Sequence, residues 1–207
     1  MTNLKSEKNR LIIIGASGHG KVVADIALLN GYKDIVFLDD DESIKECAGF
    51  SVIGKTAEAV NMSGDKIVAN GDAKIRERMQ QLIQTVTLIH PNAIISRRVE
   101  IGEGTVIMAG AIVNSDARIG KGYIINTDSS IDHDCIVEDY VHVAVGAHLC
   151  GAVKIGHGTW VGAGSTVSNN IDICANAVIG AGAVVIKSIT EPGTYIGVPA
   201  KKKRQVY

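Results

Sequence analysis

One register runs through the middle of this chain. From Ile89, every sixth residue is Ile, Val or Leu: Ile95, Ile101, Ile107, Val113, Ile119, Ile125, Ile131, Val137, Val143, Leu149, Ile155, Val161, Val167, Ile173, Ile179 and Val185. The run is seventeen hits long with no slip. At 46% hydrophobic composition chance would give it on the order of once in a million, before the restriction to branched aliphatics. Gly often follows a hit, as at Gly102, Gly120, Gly156, Gly162 and Gly180. Four residues after a hit comes a mostly small side chain, among them Thr105, Ala111, Ser129, Cys135, Ala147 and Ser165. A period of six fits neither the helical 3.6 nor an alternating strand with hairpin turns. It is the mark of a parallel β-helix of hexapeptide repeats. Three hexads make one triangular coil of about 18 residues, and the coils gain a core by stacking. A β-sandwich would also use short strands, but sandwich strands drift in length. The unbroken count leaves no room for a long loop between Ile89 and Val185.

The residues before this run read differently. Leu11–Ile14 is a short apolar run expected as a buried parallel strand. It leads into Gly15-Ala16-Ser17-Gly18-His19-Gly20-Lys21. A helical pattern follows over Val22–Asn30, with Gly31 as its C-cap. Further strands are expected at Ile35–Leu38, Phe50–Ile53, Lys66–Ala69 and Val86–Ile89. Helices are expected near Thr56–Val60 and over Ala73–Gln84, where Ile75, Met79, Leu82 and Ile83 share a face. Strand, Gly-rich turn, helix, strand, acid is the opening of a doubly wound nucleotide-binding unit. The chain therefore divides into a Rossmann-like α/β domain over 1–88, a β-helix over 89–189 and a C-terminal tail over 190–207.

Composition excludes several classes. The net charge is −1, which argues against nucleic acid or an anionic membrane as the main partner. Met1–Arg10 is polar and only four apolar residues follow, too few for a signal peptide or a membrane-inserted helix. Cys47, Cys135, Cys150 and Cys174 show no CxxC and no zinc-type pairing, so they read as reduced thiols of a cytoplasmic protein.

Gly15, Gly18 and Gly20 give GxxGxG, not the dinucleotide order GxGxxG, and the domain is short for a nicotinamide cofactor. The turn suits a phosphate at a helix N-terminus, and equally a tight β–α turn with no ligand. Asp39 and Asp40 end the second strand, where an acid can hold a ribose hydroxyl or a base edge. Among the six histidines, His133 stands between Asp132 and Asp134. With Ile131 inward, His133 faces outward. A carboxylate on one ring nitrogen fixes the tautomer and raises the basicity of the other, as a general base needs. Taken singly, each coil histidine also reads as a solvated surface residue. His142 and His148 are six apart, on successive faces of the prism, so they do not converge on a zinc ion and no metal is expected.

GASGHGKVVAD at Gly15–Asp25, FLDD at Phe37–Asp40, Asn126–Cys135, His142–Gly156 and GVPAK at Gly197–Lys201 resemble one family. It is the bacterial sugar acetyltransferases typified by the UDP-4-amino-sugar N-acetyltransferase of the bacillosamine pathway, with perosamine N-acetyltransferases and the sialic-acid O-acetyltransferase type in the wider group. The resemblance covers nearly the whole chain. It implies a Rossmann-like domain on a left-handed parallel β-helix, a homotrimer with active sites between prisms, and acetyl transfer from acetyl-CoA to a UDP-linked 4-amino-4,6-dideoxy sugar. The alternative it leaves is O-acetylation of sialic acid or a related sugar. By resemblance, Ser17, Gly18, His19, Asp39, Asp40 and Gly71 bind the nucleotide sugar. His133 is the base and Asp134 the acid behind it, with Asn126 and Asp132 supporting. His142, Gly151, Ala163 and Ala181 serve acetyl-CoA, the Gly151 N–H as oxyanion donor. Two departures stand out: Asp134 replaces the Glu of the typifying enzyme, and Gly71-Asp72-Ala73 replaces its Gly-Asn-Asn. The basic run Lys201–Arg204 reads either as a contact for the coenzyme 3′-phosphate or as a solvated tail. Trp160 reads either as coenzyme lining or as packing between copies.

Overall fold

A computed structural model describes residues 10–203. The chain opens with β1 (Leu11–Ile14), α1 (Gly18–Leu29), β2 (Ile35–Leu38), β3 (Glu46–Cys47), β4 (Phe50–Gly54), a 3₁₀ turn over Thr56–Asn61, β5 (Asp65–Val68) and α2 (Ala73–Gln80). The sheet order is β3-β4-β2-β1-β5. β4, β2, β1 and β5 run parallel, and β3 returns antiparallel against β4. All four residues of β1 and of β2 are buried, as strands covered on both faces must be. Leu11 and Ile13 pack with Val23 and Ile26 of α1 on one face. Ile12 and Ile14 pack with Met79 and Ile83 on the other.

Three details differ from the sequence expectation. The short strand β3 carries no periodic signal of its own. α1 starts at Gly18 rather than Val22, because Ser17 takes the extended N-cap conformation and the second and third glycines of the turn already lie in the helix. α2 stops at Gln80, short of Gln84. Gly31, at φ +91, closes α1 as expected.

From Leu88 the chain winds into seventeen two-residue strands, β6 (Leu88–Ile89) to β22 (Val184–Val185), each ending on one of the aliphatics of the six-residue register. Residue i pairs with i+18, as in Ile131 with Leu149. Three flat faces result, of six, six and five of these strands, and two later strands extend the first to eight. The inward aliphatics form one continuous core, and Ile125, Ile131 and Val143 are fully buried within it. Each such side chain contributes about 1.5–3 kcal/mol, so Ile131→Ala would cost about 2–5 kcal/mol.

Every hexad from Ile101 to Ile179 has a positive φ three residues after its aliphatic, between 54° and 71°. Gly, Asp and Asn fill most of these corners, the residues that tolerate the left-handed region. Asp134 is one of them, at φ 60.

The α/β domain covers the lower coils of the eight-stranded face. Leu88, Val106 and Ile124 point outward there and join its core. His142, Trp160 and Val178 continue the same column upward. α2 lies along one corner of the prism: Gln80 donates to Gly104 O and Glu77 pairs with His157 at 3.3 Å.

The segment after the coils corrects the expectation of a simple tail. β23 (Thr194–Ile196) runs parallel to the strand Val178–Ile179, and β24 (Lys201–Lys202) folds back antiparallel on it, closing the eight-stranded sheet. Lys202 pairs with Glu191 at 2.9 Å. Arg204 lies outside the described residues.

Candidate active site

The corner between the six- and five-stranded faces carries His133. The ring is exposed, and its Nδ1 lies 2.7 Å from Asp134 Oδ2. Because Asp134 occupies the left-handed corner, its side chain turns back to the preceding ring. A carboxylate only accepts, so Nδ1 carries the proton and Nε2 keeps a lone pair. Asp132 anchors the other side: its Oδ1 accepts from the His133 N–H and from Asn114 Nδ2, both at 2.8 Å. The hydrogen bond from Asp134 and the charge of Asp132 hold the His133 pKa above its usual value. One coil further on, Gly151 lies beneath the ring. A Cβ there would stand 2.7 Å from His133 Cε1 and Nε2, so this glycine makes the space the ring fills. Cys135, buried two residues on at the same corner, has its thiol pushed up to about 11 by burial.

A second cluster sits on the eight-stranded face. Asn126 Oδ1 accepts from the Thr127 N–H, which directs Asn126 Nδ2 to His142 Nε2 at 3.2 Å. His142 therefore carries its proton on Nδ1, a buried nitrogen with no protein partner among the described residues. Burial, and then the Arg76 charge, lower its pKa to about 3. Trp160 stacks on the ring at 5.0 Å and 21°. His19, at the start of α1, is lowered to about 4 by burial and the same arginine, and its Nε2 is likewise without a partner. A cleft of roughly 430 Å³ opens over this shelf, lined by Asn70, Gly71, Arg76, Tyr140, His142 and Trp160 among others. That size suits a small ligand, and the buried, unpartnered His142 Nδ1 is what such a ligand would satisfy.

A smaller crevice of about 110 Å³ lies at the carboxyl ends of β1, β2 and β5, lined by Gly15, Asp39, Asp40, Thr56 and Asn70 among others. This is where ligands of open α/β sheets bind. The three glycines of the turn have different reasons. Gly15 has φ +113, and a Cβ there would stand 2.6 Å from Ala69 O. Gly20 packs against the Gly15 carbonyl. Gly18 and Gly71 have nothing within 4 Å of a Cβ, so packing explains neither. Both Asp39 oxygens serve the fold, accepting from Ala16 N at 2.6 Å and Asp41 N at 2.9 Å. Asp40 caps the 3₁₀ turn through the Thr56 N–H and hydroxyl. Ser17 is exposed and makes no side-chain cap bond.

The residues singled out from sequence thus fall into separate groups. His133, Asp132, Asp134 and Gly151 share one corner. Asn126 is not with them: it belongs with His142 on the eight-stranded face. That face is opposite the His133 corner in the triangle, with the core between. Ala163 and Ala181 are exposed one coil apart, at the corner leaving the eight-stranded face. Sequence reasoning missed Arg76 and Tyr140. The stacking of Trp160 on His142 was readable, since residues 18 apart are neighbours on a face. Among the described residues no three His, Cys, Asp or Glu side chains are grouped to hold a metal, and no helix is long and apolar enough to cross a membrane.

A family profile described as the PglD N-terminal domain matches residues 10–83. Curated relatives include the GDP-perosamine N-acetyltransferase of Escherichia coli O157:H7, 31% identical over 66% of this chain and 65% of that one. The UDP-N-acetylbacillosamine N-acetyltransferase of Bacillus subtilis (strain 168) is 39% identical over 47% of this chain and 50% of its own length. The matched region thus spans one half to two thirds of these two proteins. Among solved structures, the acetyltransferase domain of PglB from Neisseria gonorrhoeae FA1090 with acetyl coenzyme A is 37% identical, with a TM-score of 0.91 over 95% of this chain and 100% of that one. PerB from Caulobacter crescentus, with CoA and GDP-perosamine, is 32% identical with a TM-score of 0.89 over 94% and 97%. With that likeness running through both the α/β domain and the coils, the chain belongs to the hexapeptide-repeat sugar acetyltransferases of the PglD type.

Proposed function

We propose that the protein moves the acetyl group of acetyl-CoA to the amine of a UDP-linked 4-amino-4,6-dideoxy sugar, with His133 as general base. The observation that carries this reading is the His133–Asp134 pair at 2.7 Å, with the ring seated over Gly151. Nε2 takes a proton as the amine nitrogen attacks the thioester carbonyl. The C–N bond forms, the C–S bond breaks, and the departing thiolate recovers the proton. The Gly151 N–H belongs to a row of outward amides that the coil ladder does not use, which suits it to a developing oxyanion. Cys135, buried with a raised pKa, is a poor nucleophile, so transfer is direct.

The nucleotide lies in the crevice by Gly18, and the sugar extends past Asn70 and Gly71 into the cleft. His133 is across the prism from that cleft, so a neighbouring copy supplies the base, and the working form is a homotrimer. Four free cysteines and the coenzyme itself suit a cytoplasmic setting. The relatives, N-acetyltransferases of a GDP-linked and a UDP-linked sugar, support an N-acetyl product. The test is acetyl transfer to UDP- and GDP-linked 4-amino-4,6-dideoxyhexoses, with melting shifts for UDP, GDP, CMP and acetyl-CoA. Transfer to the UDP sugar with a UDP shift is expected. A shift with CMP alone, and O-acetylation of sialic acid, would replace this reading by the O-acetyltransferase one.

A further inference from the structure

Arg76 heads the fully buried side chains by volume, at 1% exposure. No carboxylate among the described residues bonds it. Its guanidinium donates to four main-chain carbonyls instead: Nε to Gly122 O at 2.8 Å, Nη1 to Asn70 O at 3.0 Å and Gly71 O at 2.7 Å, and Nη2 to Tyr140 O. Gly122 and Tyr140 are left-handed corner residues of successive coils. Asn70 and Gly71 form the loop between β5 and α2, and neither makes a backbone–backbone hydrogen bond to a described residue. Arg76 is therefore what ties their carbonyls down.

A buried charge is disfavoured unless fully hydrogen-bonded, and an apolar side chain of similar volume fills such a space with less desolvation. The arginine is not the whole of the domain contact. Leu88, Val106 and Ile124 already bury an apolar contact, and Gln80 and Glu77 add polar ones. What it alone does is fix the Asn70–Gly71 loop to the prism. That loop is a shared wall: Asn70 lines both the crevice and the cleft, and the His142–Trp160 shelf faces it across the cleft. Lysine, with one compact ammonium, cannot reproduce a planar fork spread over four carbonyls.

We propose that Arg76 is a positioning residue of the acceptor site, setting the gap between the Asn70–Gly71 loop and the His142–Trp160 shelf through which the nucleotide-linked sugar reaches the acetyl donor. This rests on the function proposed above.

The test uses the full chain with Arg76→Lys and Arg76→Ala. The acceptor is whichever UDP- or GDP-linked 4-amino-4,6-dideoxyhexose the wild type acetylates. The expected result is an acceptor KM raised about tenfold or more, with the acetyl-CoA KM within about twofold of wild type. Amide hydrogen exchange over residues 70–74 becomes faster in both variants, and methylguanidinium restores acceptor KM in Arg76→Ala. Equal changes in both KM values, unchanged exchange over 70–74, or loss of the fold in both variants overturns the proposal. If the wild type acetylates neither sugar, the reading of the activity fails, and the exchange measurement alone decides this one.

Discussion

His133 and His142 are nine residues apart and could hardly be treated more differently by the fold. The His133 side chain is 57% exposed, flanked by two carboxylates, and its pKa is raised. His142 is 9% exposed, stacked under Trp160 near a buried guanidinium, and its pKa falls to about 3. The first, with its basicity raised by the two acids, is suited to taking a proton. The second stays neutral and offers a fixed N–H to whatever enters the cleft. The repeat itself produces the difference. A step of nine carries the chain from a turn position at one corner to a strand position on the opposite face. One is left to solvent and the other is roofed by the α/β domain. The contrast is a division between proton transfer and binding, and it can be broken experimentally.

The largest effect falls on the base. His133→Ala is expected to lower kcat by roughly 10²–10⁴-fold with the fold intact. His142→Phe keeps the shape of the shelf and is expected to act mainly through KM, with kcat within about tenfold of wild type. If His142→Phe lost as much kcat as His133→Ala, the division would collapse. Gly151→Ala comes next. Its φ is ordinary, so the backbone accepts the change, but the new Cβ occupies the place of the ring edge. A ring displaced by about 1 Å can cost up to ~10²-fold. The variant should lose kcat while its melting temperature stays near that of the wild type. A normal kcat would mean that the ring does not work from this seat.

Asp134→Asn probes the carboxylate with the least backbone disturbance, because asparagine also accepts the left-handed corner. In the wild type, kcat/KM should fall as pH drops through a His133 pKa held above 6.5. In the variant that acid limb should move down towards 6.5, with a plateau about tenfold lower. An unmoved limb would assign the raised pKa to Asp132 alone.

How much of this was legible in the sequence depends on the range of the interaction. The six-residue register placed all seventeen coil strands, because each hexad meets only its neighbours and the local pattern is the fold. The acid-flanked His133 was legible for the same reason, its partners being adjacent in sequence. The left-handed corners were equally local, yet glycine was read one residue after the aliphatic rather than three. Asp134, Asn170 and Asn176 were the missed clue, since Asp and Asn recur at that position too. Arg76 was not legible. Its partners Gly122 and Tyr140 are 46 and 64 residues away and bond through main-chain oxygens, which leave no side-chain signature. The closing hairpin of β23 and β24 was hidden because its lysines read as a solvated run.

The smallest expected effect concerns stability in acid, and it separates the two histidines by sign. Unfolded, both titrate near 6.5. In the folded state His142 refuses a proton down to about pH 3, and His19 down to about 4. Below about pH 6.5 the unfolded chain takes up protons that the folded one does not, so these two groups make stability fall as pH drops, by at most ~1.4 kcal/mol per pH unit each. His133, with its pKa raised, works the other way: its small contribution is present below 6.5 and fades as pH rises through the folded value. Melting temperatures between pH 7 and 4.5 should therefore decline less steeply in His142→Phe than in the wild type, while His133→Ala leaves the slope as steep or makes it slightly steeper. Superimposable slopes for His142→Phe and wild type would mean that the His142 ring takes a proton in the folded state, and the cleft would then present a cation rather than a neutral donor to its ligand.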